Sequence, residues 1–416
     1  MEYGLIGAKL GHSYSKEVHE MLGNYEYNLQ EVSKEDLAAF IMRKEYKGIN
    51  VTIPYKQDVI QYLDYIDPTA KSVGAVNTII NDGGVLKGYN TDVQGMRLMI
   101  VNSGINIVGK NVFILGTGGT AKTAQYVCKT MGASKIYTVT RGNARGGNLI
   151  TYNEATTTHA PFCDILLNAT PCGMFPNSDE MPIDPGQLIN LKATIDVIYN
   201  PLRTKLISTT KKMGRTTVGG LYMLVAQGVA ASELFLGEQY KYGTLKRVYN
   251  ELYFKISNVV LTGMPGAGKT SIGKIVAEKL GKTFYDVDEE IKRTTGMTPS
   301  DFINLKGETE FRKVESTVIG ELSKKTNSVI ATGGGSVIYA DNIDRLKRNG
   351  RIYFIDRSLN KLTPTGDRPL SSTKEMLRQR YNERIEKYRT SCDEIVPGDG
   401  TVNETAGRLL GMIDMR

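Results

Sequence analysis

The sequence predicts an α/β protein organised around two glycine-rich turns, each set between a short apolar strand and a helix. Three observations carry that reading. Gly263-Met264-Pro265-Gly266-Ala267-Gly268-Lys269-Thr270 meets the P-loop spacing at every fixed position. Gly116-Thr117-Gly118-Gly119-Thr120-Ala121 meets G-x-G-x-x-A within a strand, turn, helix, strand order. The length of 416 residues exceeds what one core supports, so two or three domains are expected.

Apolar and charged fractions of 40% and 23% describe an ordinary globular protein. No window of eighteen apolar residues occurs and the amino terminus carries no charged-then-apolar leader, so a cytoplasmic protein with no membrane partner is expected. Cys128, Cys163, Cys172 and Cys392 are scattered without metal-type spacing and read as reduced thiols. The formal charge of +8 comes from dispersed Lys and Arg, which suits small anionic substrates and argues against nucleic acid. A homodimer is left open.

Residues 1 to 100 alternate short apolar runs with helical patterns. A strand at Tyr3 to Gly7 runs into Ser13 and Ser15. Two hydroxyls two residues apart either converge on one polyhydroxylated or carboxylate-bearing ligand or cap the helix that holds Val18, Met21 and Leu22 on one face. A second strand from Gly48 to Ile53 is stopped by Pro54 and followed by Lys56. Gly74 to Thr78 and Asn90-Thr91-Asp92 lie in turn-like surroundings where polar side chains can face a cleft.

His12-Ser13-Tyr14-Ser15, Asn50-Val51-Thr52-Ile53-Pro54-Tyr55-Lys56, Ala75-Val76-Asn77-Thr78 and Asn90-Thr91-Asp92, in that order, resemble shikimate dehydrogenase. The resemblance implies that Ser13, Ser15, Thr52 and Asn77 grip the substrate together with Lys56 and Asp92. The chemistry suits these residue types. Hydride addition to a ketone places negative charge on the carbonyl oxygen, and a positioned acid must supply a proton. Lys56 is the expected donor, and Asp92 the carboxylate that holds it.

Asn111 to Leu115 is an apolar strand, the glycine turn opens a helical stretch to Met131, and Lys135 to Val139 is the next strand. Gly116, Thr117, Gly118, Gly119 and Thr120 are the expected phosphate contacts of a dinucleotide. NAD sites tend to place an acid at the end of the second strand, whereas a 2′-phosphate needs cations. Thr140-Arg141-Gly142-Asn143-Ala144-Arg145 has two arginines and no acid, so NADP is expected, with Thr140, Arg141 and Arg145 at its adenosine end. The family pattern there is Asn-Arg-Thr, from which Thr140 and Gly142 depart.

Leu167 to Met174, Asp196-Val197-Ile198-Tyr199-Asn200-Pro201 and Gly220 to Gln227 complete the resemblance, with Pro171 and Cys172 departing from its pattern. It implies that Tyr199, Gly220 and Gln227 face the nicotinamide and substrate and that the Val197 backbone lines the cofactor. The resulting expectation is a two-lobed dehydrogenase module: a substrate lobe over 1–100 to which 218–236 return, and a Rossmann NADP lobe over 101–217. Residues 237–257, rich in Tyr, Lys and Glu and without a strong period, read as a linker for which a helix is one expectation; without Pro or Ser runs the composition does not imply flexibility.

Behind the P-loop, Ile272, Ile275, Val276 and Leu280 recur at helical spacing. The loop N–H groups of Gly266, Ala267, Gly268 and Ser271 would cradle phosphates, Lys269 would reach the terminal phosphates of ATP, and the Thr270 hydroxyl would hold Mg²⁺. Asp286 and Asp288, two residues apart, are expected on one side of a strand end, one assisting Mg²⁺ and the other accepting a substrate hydroxyl as base. With Glu308 to Glu315, Ala331 to Ser336, Asp367-Arg368-Pro369-Leu370 and Arg384 to Tyr388, these motifs resemble shikimate kinase over 258–416. That resemblance implies substrate binding by Asp288, Arg312, Gly334 and Arg384, water-mediated Mg²⁺ contact by Asp286, and a phosphate contact by Arg368 in a lid. The fold it implies is a parallel sheet flanked by helices. The lid stretch lacks the arginine often found just before Arg-Pro-Leu.

Together the resemblances imply a bifunctional enzyme of aromatic amino-acid (chorismate) biosynthesis, in which 3-dehydroshikimate is reduced with NADPH to shikimate and shikimate is then phosphorylated by ATP. The alternatives are a quinate/shikimate dehydrogenase preferring NAD fused to a small-polyol kinase, and a non-catalytic ligand sensor. The sensor would be marked by loss of Lys56, Asp92, Lys269 or Asp288, and all four are present.

Overall fold

The protein is described from a computed structural model, which covers the chain except residues 12, 24, 144–145, 363–372 and 415–416. The chain divides into two compact units, Met1–Tyr253 and Phe254–Arg416.

The first unit holds two six-stranded sheets. In the amino-terminal one, Tyr27–Glu31, Tyr3–Gly7 and Gly48–Val51 run parallel, and Thr78–Asp82 with Val85–Tyr89 continue the sheet antiparallel. Tyr3–Gly7 and Gly48–Val51 are buried along their whole length, as strands covered on both faces require. Ser13 and Thr52 therefore follow the carboxyl ends of neighbouring parallel strands, where open sheets bind ligands.

The second sheet is parallel throughout. Its order is Thr216–Val218, Ala193–Asp196, Ile165–Asn168, Asn111–Leu115, Lys135–Thr140, Leu149–Thr151. Counted from Asn111–Leu115, this is the 3-2-1-4-5-6 order of a Rossmann fold, with the switch point between Asn111–Leu115 and Ile165–Asn168. Val218, which the sequence put at the start of the returning segment, is the last residue of an edge strand here. The return is made by the helix Leu221–Leu236, which packs along the helix Thr91–Ser103 and buries Ala231 and Phe235 among Tyr3, Leu5 and Tyr27 of the first sheet.

Much of the stretch 237–257 is helical. Thr244–Ile256 is a helix in which Val248, Leu252 and Ile256 are buried at a spacing of four, a period hidden by the polar and tyrosine residues between them.

The second unit is one five-stranded parallel sheet in the order Thr283–Asp286, Ser328–Ala331, Asn258–Thr262, Gly350–Asp356, Glu394–Pro397. Its central strand, Asn258–Thr262, is fully buried and leads into the P-loop, and the helix Lys269–Leu280 follows. Among the described residues no helix is long and apolar enough to cross a membrane.

Candidate active sites

In the first unit, the helix Thr91–Ser103 carries Asp92 in its first turn, and the Ile53–Pro54 turn carries Lys56 beyond the end of Gly48–Val51. Lys56 Nζ lies 2.6 Å from Asp92 Oδ2, with the two side chains 13% and 8% exposed, so the ion pair is sheltered from screening by water. Around it the cleft floor is a hydrogen-bond net. Asn77 Nδ2 donates to Thr91 Oγ1 at 3.0 Å, and Asn77 Oδ1 accepts from the Thr91 N–H at 2.8 Å. Asn50, held by Tyr27 OH at 2.7 Å, donates to the Asn77 carbonyl at 3.2 Å and to Thr78 Oγ1 at 3.0 Å. Thr91 and Asn50 were quoted in the motifs but given no role, because a residue that orients another leaves no mark beyond its neighbourhood.

Ser13 Oγ donates to Ser15 Oγ at 3.1 Å, and the Ser15 N–H returns to Ser13 Oγ at 3.3 Å, so the two hydroxyls face one another ahead of the helix Ser15–Leu22. The Ser13 hydroxyl thus takes the first N–H of that helix, while the N-cap residue itself, Tyr14, makes no side-chain cap bond. Tyr199 sits beside them; burial pushes its phenol up to about 12, with a hydrogen-bond contact to Ser13 partly opposing the shift. Thr52 is half-buried, its N–H bonded to the Ile6 carbonyl at 2.9 Å. Gln227 is buried, and its Nε2 donates to the Leu224 carbonyl of its own helix at 2.9 Å.

The glycine turn lies at the switch point. A Cβ placed on Gly118 would meet nothing within 4 Å, whereas one on Gly119 would lie 3.5 Å from Lys56 Cβ. The turn is thus open where a pyrophosphate would approach, and at Gly119 it lies within van der Waals reach of Lys56. With the Gly119–Thr130 helix N-terminus behind it, it fits a dinucleotide. Thr117 is exposed and Thr120 half-buried. At Gly220 a Cβ would stand 2.0 Å from the Val197 carbonyl, so only glycine lets these two segments meet. Thr140 Oγ1 accepts from the Gly142 N–H at 3.1 Å, and Arg141 is exposed beside it, able to meet a 2′-phosphate. Arg145 lies outside the described residues.

In the second unit, a cavity of about 270 Å³ is lined by the P-loop, by Asp286 and Asp288, and by Arg312, Arg380 and Arg384. Gly266 and Gly268 take φ of 81° and 90°, the left-handed region open to glycine that a phosphate-cradling loop requires. Ala267 is buried and Ser271 exposed at the start of the following helix. Lys269 Nζ rests on the Gly263 and Met264 carbonyls at 2.8 and 3.0 Å. Thr270 Oγ1 donates to Asp286 Oδ2 at 2.6 Å, which brings two hard oxygen donors together and fits Mg²⁺. The expectation that Asp286 and Asp288 share one side of a strand end needs correction. Asp286 ends its strand and caps the helix Val287–Thr295, its Oδ1 accepting the Asp288 N–H at 3.0 Å, so Asp288 reaches the cavity from a helix's first turn. The helical turn, not strand alternation, sets the two carboxyl directions.

Arg312 is clamped by Glu315 at 2.7 Å and Glu308 at 2.8 Å; burial works against its charge, but the two carboxylates outweigh it and raise its pKa. Arg384 Nη1 donates to the Gly334 carbonyl at 3.0 Å, and Tyr388 OH donates to the same oxygen. Its Nε and Nη2 are buried without a partner among the described residues. Burial foremost, with Arg380 and Arg312 adding to it, lowers the Arg384 pKa. A buried guanidinium with two idle nitrogens next to further arginines is chemically suited to an anionic group such as a carboxylate. Glu315, Glu308 and Arg380 were missed in the sequence; the i, i+3 and i−4 spacings from Arg312 were the available signal for the two glutamates. Arg368 lies outside the described residues.

Comparison with known proteins finds relatives of both parts of the chain. The shikimate dehydrogenase substrate binding domain family matches residues 5–79, and the shikimate kinase family matches residues 265–414. The chain is 38% identical over 266 residues to "Shikimate dehydrogenase (NADP(+))" of Clostridium perfringens, a match covering 60% of this chain and 97% of that protein. Among solved structures, shikimate dehydrogenase 1 from Peptoclostridium difficile is 38% identical with a TM-score of 0.57, covering 61% of this chain and 98% of that one. A chorismate mutase/shikimate 5-dehydrogenase fusion protein from Clostridium acetobutylicum is 34% identical with a TM-score of 0.56, covering 60% and 96%.

Proposed function

Because this chain belongs to the shikimate dehydrogenase family over its first three-fifths and carries a shikimate kinase domain behind it, we propose that its two sites catalyse consecutive steps on one compound. The first reduces 3-dehydroshikimate to shikimate, and the second phosphorylates the hydroxyl so formed. The observation that carries the reading is the Lys56–Asp92 pair, a sheltered proton donor bordered by a dinucleotide turn.

In the reduction NADPH supplies the hydride. Lys56 donates a proton from Nζ to the carbonyl oxygen as charge develops there, and Asp92 keeps the ammonium aimed and compensated. Ser13, Ser15, Thr52, Asn77 and Tyr199 hold the carboxylate and hydroxyls of the substrate; Gln227 joins them once its side chain leaves the Leu224 carbonyl. Gly116 to Thr120 hold the pyrophosphate, Thr140, Arg141 and Arg145 the adenosine end, and Val197 and Gly220 the nicotinamide end. The arginine without a competing acid favours NADP over NAD.

In the phosphorylation ATP supplies the phosphoryl group. Arg312 and Arg384 bind the shikimate carboxylate, and Gly334, fixed by Arg384 and Tyr388, borders its ring. Asp288 accepts the proton of the attacking hydroxyl and aligns it. Lys269 and the loop N–H groups from Gly266 to Ser271 stabilise the phosphates, with Arg368 joining from the lid. Thr270, and Asp286 through water, hold Mg²⁺. A cytoplasmic setting suits both cosubstrates.

The test is a coupled assay. Purified protein with 3-dehydroshikimate, NADPH, ATP and Mg²⁺ is expected to yield shikimate 3-phosphate, with one NADPH consumed per product. Failure to oxidise NADPH refutes the first assignment; accumulation of unphosphorylated shikimate refutes the second.

A further inference from the structure

Asp196 is a buried carboxylate with 0% exposure at the end of the strand Ala193–Asp196, and the reaction as described does not use it. Its three hydrogen-bond donors come from three different stretches at or beyond the carboxyl ends of neighbouring strands. Oδ1 accepts from Asn168 Nδ2 and from the Ile198 N–H, each at 3.1 Å, and Oδ2 accepts from Thr204 Oγ1 at 2.7 Å. Asn168 in turn organises its own turn, its Oδ1 accepting from Thr170 Oγ1 at 2.7 Å and from the Thr170 N–H at 3.1 Å. The Asn168 carbonyl takes the Val197 N–H at 3.1 Å, and the Ile198 carbonyl takes the Gly220 N–H at 2.9 Å. One carboxylate therefore ties together the Asn168 turn, the Val197–Tyr199 turn and Thr204, and through the Ile198 carbonyl the second of these also meets Gly220.

We propose that Asp196 is a positioning residue for the nicotinamide end of NADPH: in its ionised form it locks the Asn168 turn and the Val197–Tyr199 turn into one surface, and cofactor affinity depends on that lock. The proposal rests on the reading that Val197, Tyr199 and Gly220 line the cofactor. An ionised carboxyl accepts all three donors at once, whereas a protonated one must give its O–H to the Thr204 hydroxyl, which then no longer donates to it, so the strongest of the three contacts is reversed and loses its charge assistance.

Burial pushes the Asp196 carboxyl up to about 7, opposed by the hydrogen bonds from Thr204, Ile198 and Asn168. The lock thus opens as pH falls through neutrality. The titratable group facing it is the Cys172 thiol, raised by burial first and then by Glu180 and Asp196, with Arg141 opposing; Asn168, Thr204 and Ile198 present neutral donors. Because the folded chain keeps this proton to about 7 and the unfolded chain releases it near 4, the charged hub costs stability as pH rises through that window. That cost is accepted for geometry.

The experiment is steady-state kinetics with NADPH and 3-dehydroshikimate varied separately, with shikimate phosphorylation by the same protein as the control for folding and concentration. Asp196→Asn removes the charge at constant shape, and is expected to raise the KM for NADPH about tenfold while leaving that for 3-dehydroshikimate within about twofold. Wild-type KM for NADPH is expected to climb as pH falls below about 7, and the ratio of variant to wild type to shrink accordingly, a comparison from which the cofactor's own phosphate titration cancels. Thr204→Val is expected to shift the NADPH KM in the same direction by less, and Thr204→Ser to restore it; should Asp196→Asn not fold, this pair decides. NADPH KM within about twofold of wild type in both Asp196→Asn and Thr204→Val, or a variant-to-wild-type ratio independent of pH, overturns the role of Asp196. Wild-type protein that oxidises no NADPH overturns instead the functional reading beneath it.

Discussion

Arg384 shows how a residue's role comes from what it lacks. The residue is 3% exposed, one guanidinium nitrogen holds the Gly334 carbonyl, and two are idle among the described residues. Burying a cation with unmet donors costs several kcal/mol unless a ligand meets them. A planar fork suits a carboxylate, and a lysine cannot supply two parallel bonds. Arg384→Lys is therefore expected to raise the KM for shikimate in the kinase assay by about 10- to 100-fold, with kcat reduced by a smaller factor. A KM unchanged under initial-rate conditions would remove the carboxylate from this position. The residue types were legible in the sequence, since Lys56, Asp92, Arg312 and Arg384 all stood in quoted motifs. Their pairings were not: the Lys56–Asp92 contact joins positions 36 apart and the Arg384–Gly334 contact positions 50 apart.

At the scale of elements, the helix Ser15–Leu22, which follows the Ser13 loop, is tied to the helix Leu221–Leu236 by a buried chain through His19. His19 Nδ1 meets Tyr25 OH, Tyr25 OH donates to Ser232 Oγ at 2.7 Å, and the imidazole stacks on Tyr27 with ring centroids 3.8 Å apart. Burial lowers its pKa to about 3, with Asn50 opposing. The unfolded chain takes up a proton at His19 below about 6.5 that the folded chain refuses until about 3, so this neutral ring contributes stability above that window and loses it on acidification. Asp196 has the opposite sign over much of the same range, so the raw stability profile blends the two. The difference between wild type and His19→Gln isolates the histidine. In urea unfolding followed by tyrosine fluorescence, the first unit of wild type is expected to lose stability relative to the variant between about pH 6.5 and pH 4, by an amount on the order of 3 kcal/mol. A constant difference across that range would show that His19 titrates normally. Nothing in the local sequence foretold this helix-to-helix tie, because a lone histidine on an apolar face carries no partner information.

For the whole molecule, the two sites use separate sheets, separate glycine turns and separate cations, within two compact units. Lys56→Ala is expected to lower NADPH oxidation by about 100-fold or more while leaving shikimate phosphorylation near wild type, and Lys269→Ala to do the reverse. An equal mixture of the two variants is then expected to convert 3-dehydroshikimate to shikimate 3-phosphate. Loss of both activities in either single variant would contradict independent sites. What the sequence determined by itself was the pair of glycine turns, the buried strands ahead of them and the order of modules, because each depends on backbone freedom and apolar period within a dozen residues. Only the tertiary structure decided which side chains share a cleft: the Asn50–Asn77–Thr91 net, the Glu308–Arg312–Glu315 clamp with Arg384 beside it, and the Asp196 hub. Such constellations depend on strand order and helix packing, which bring distant positions together at distances that no local spacing records.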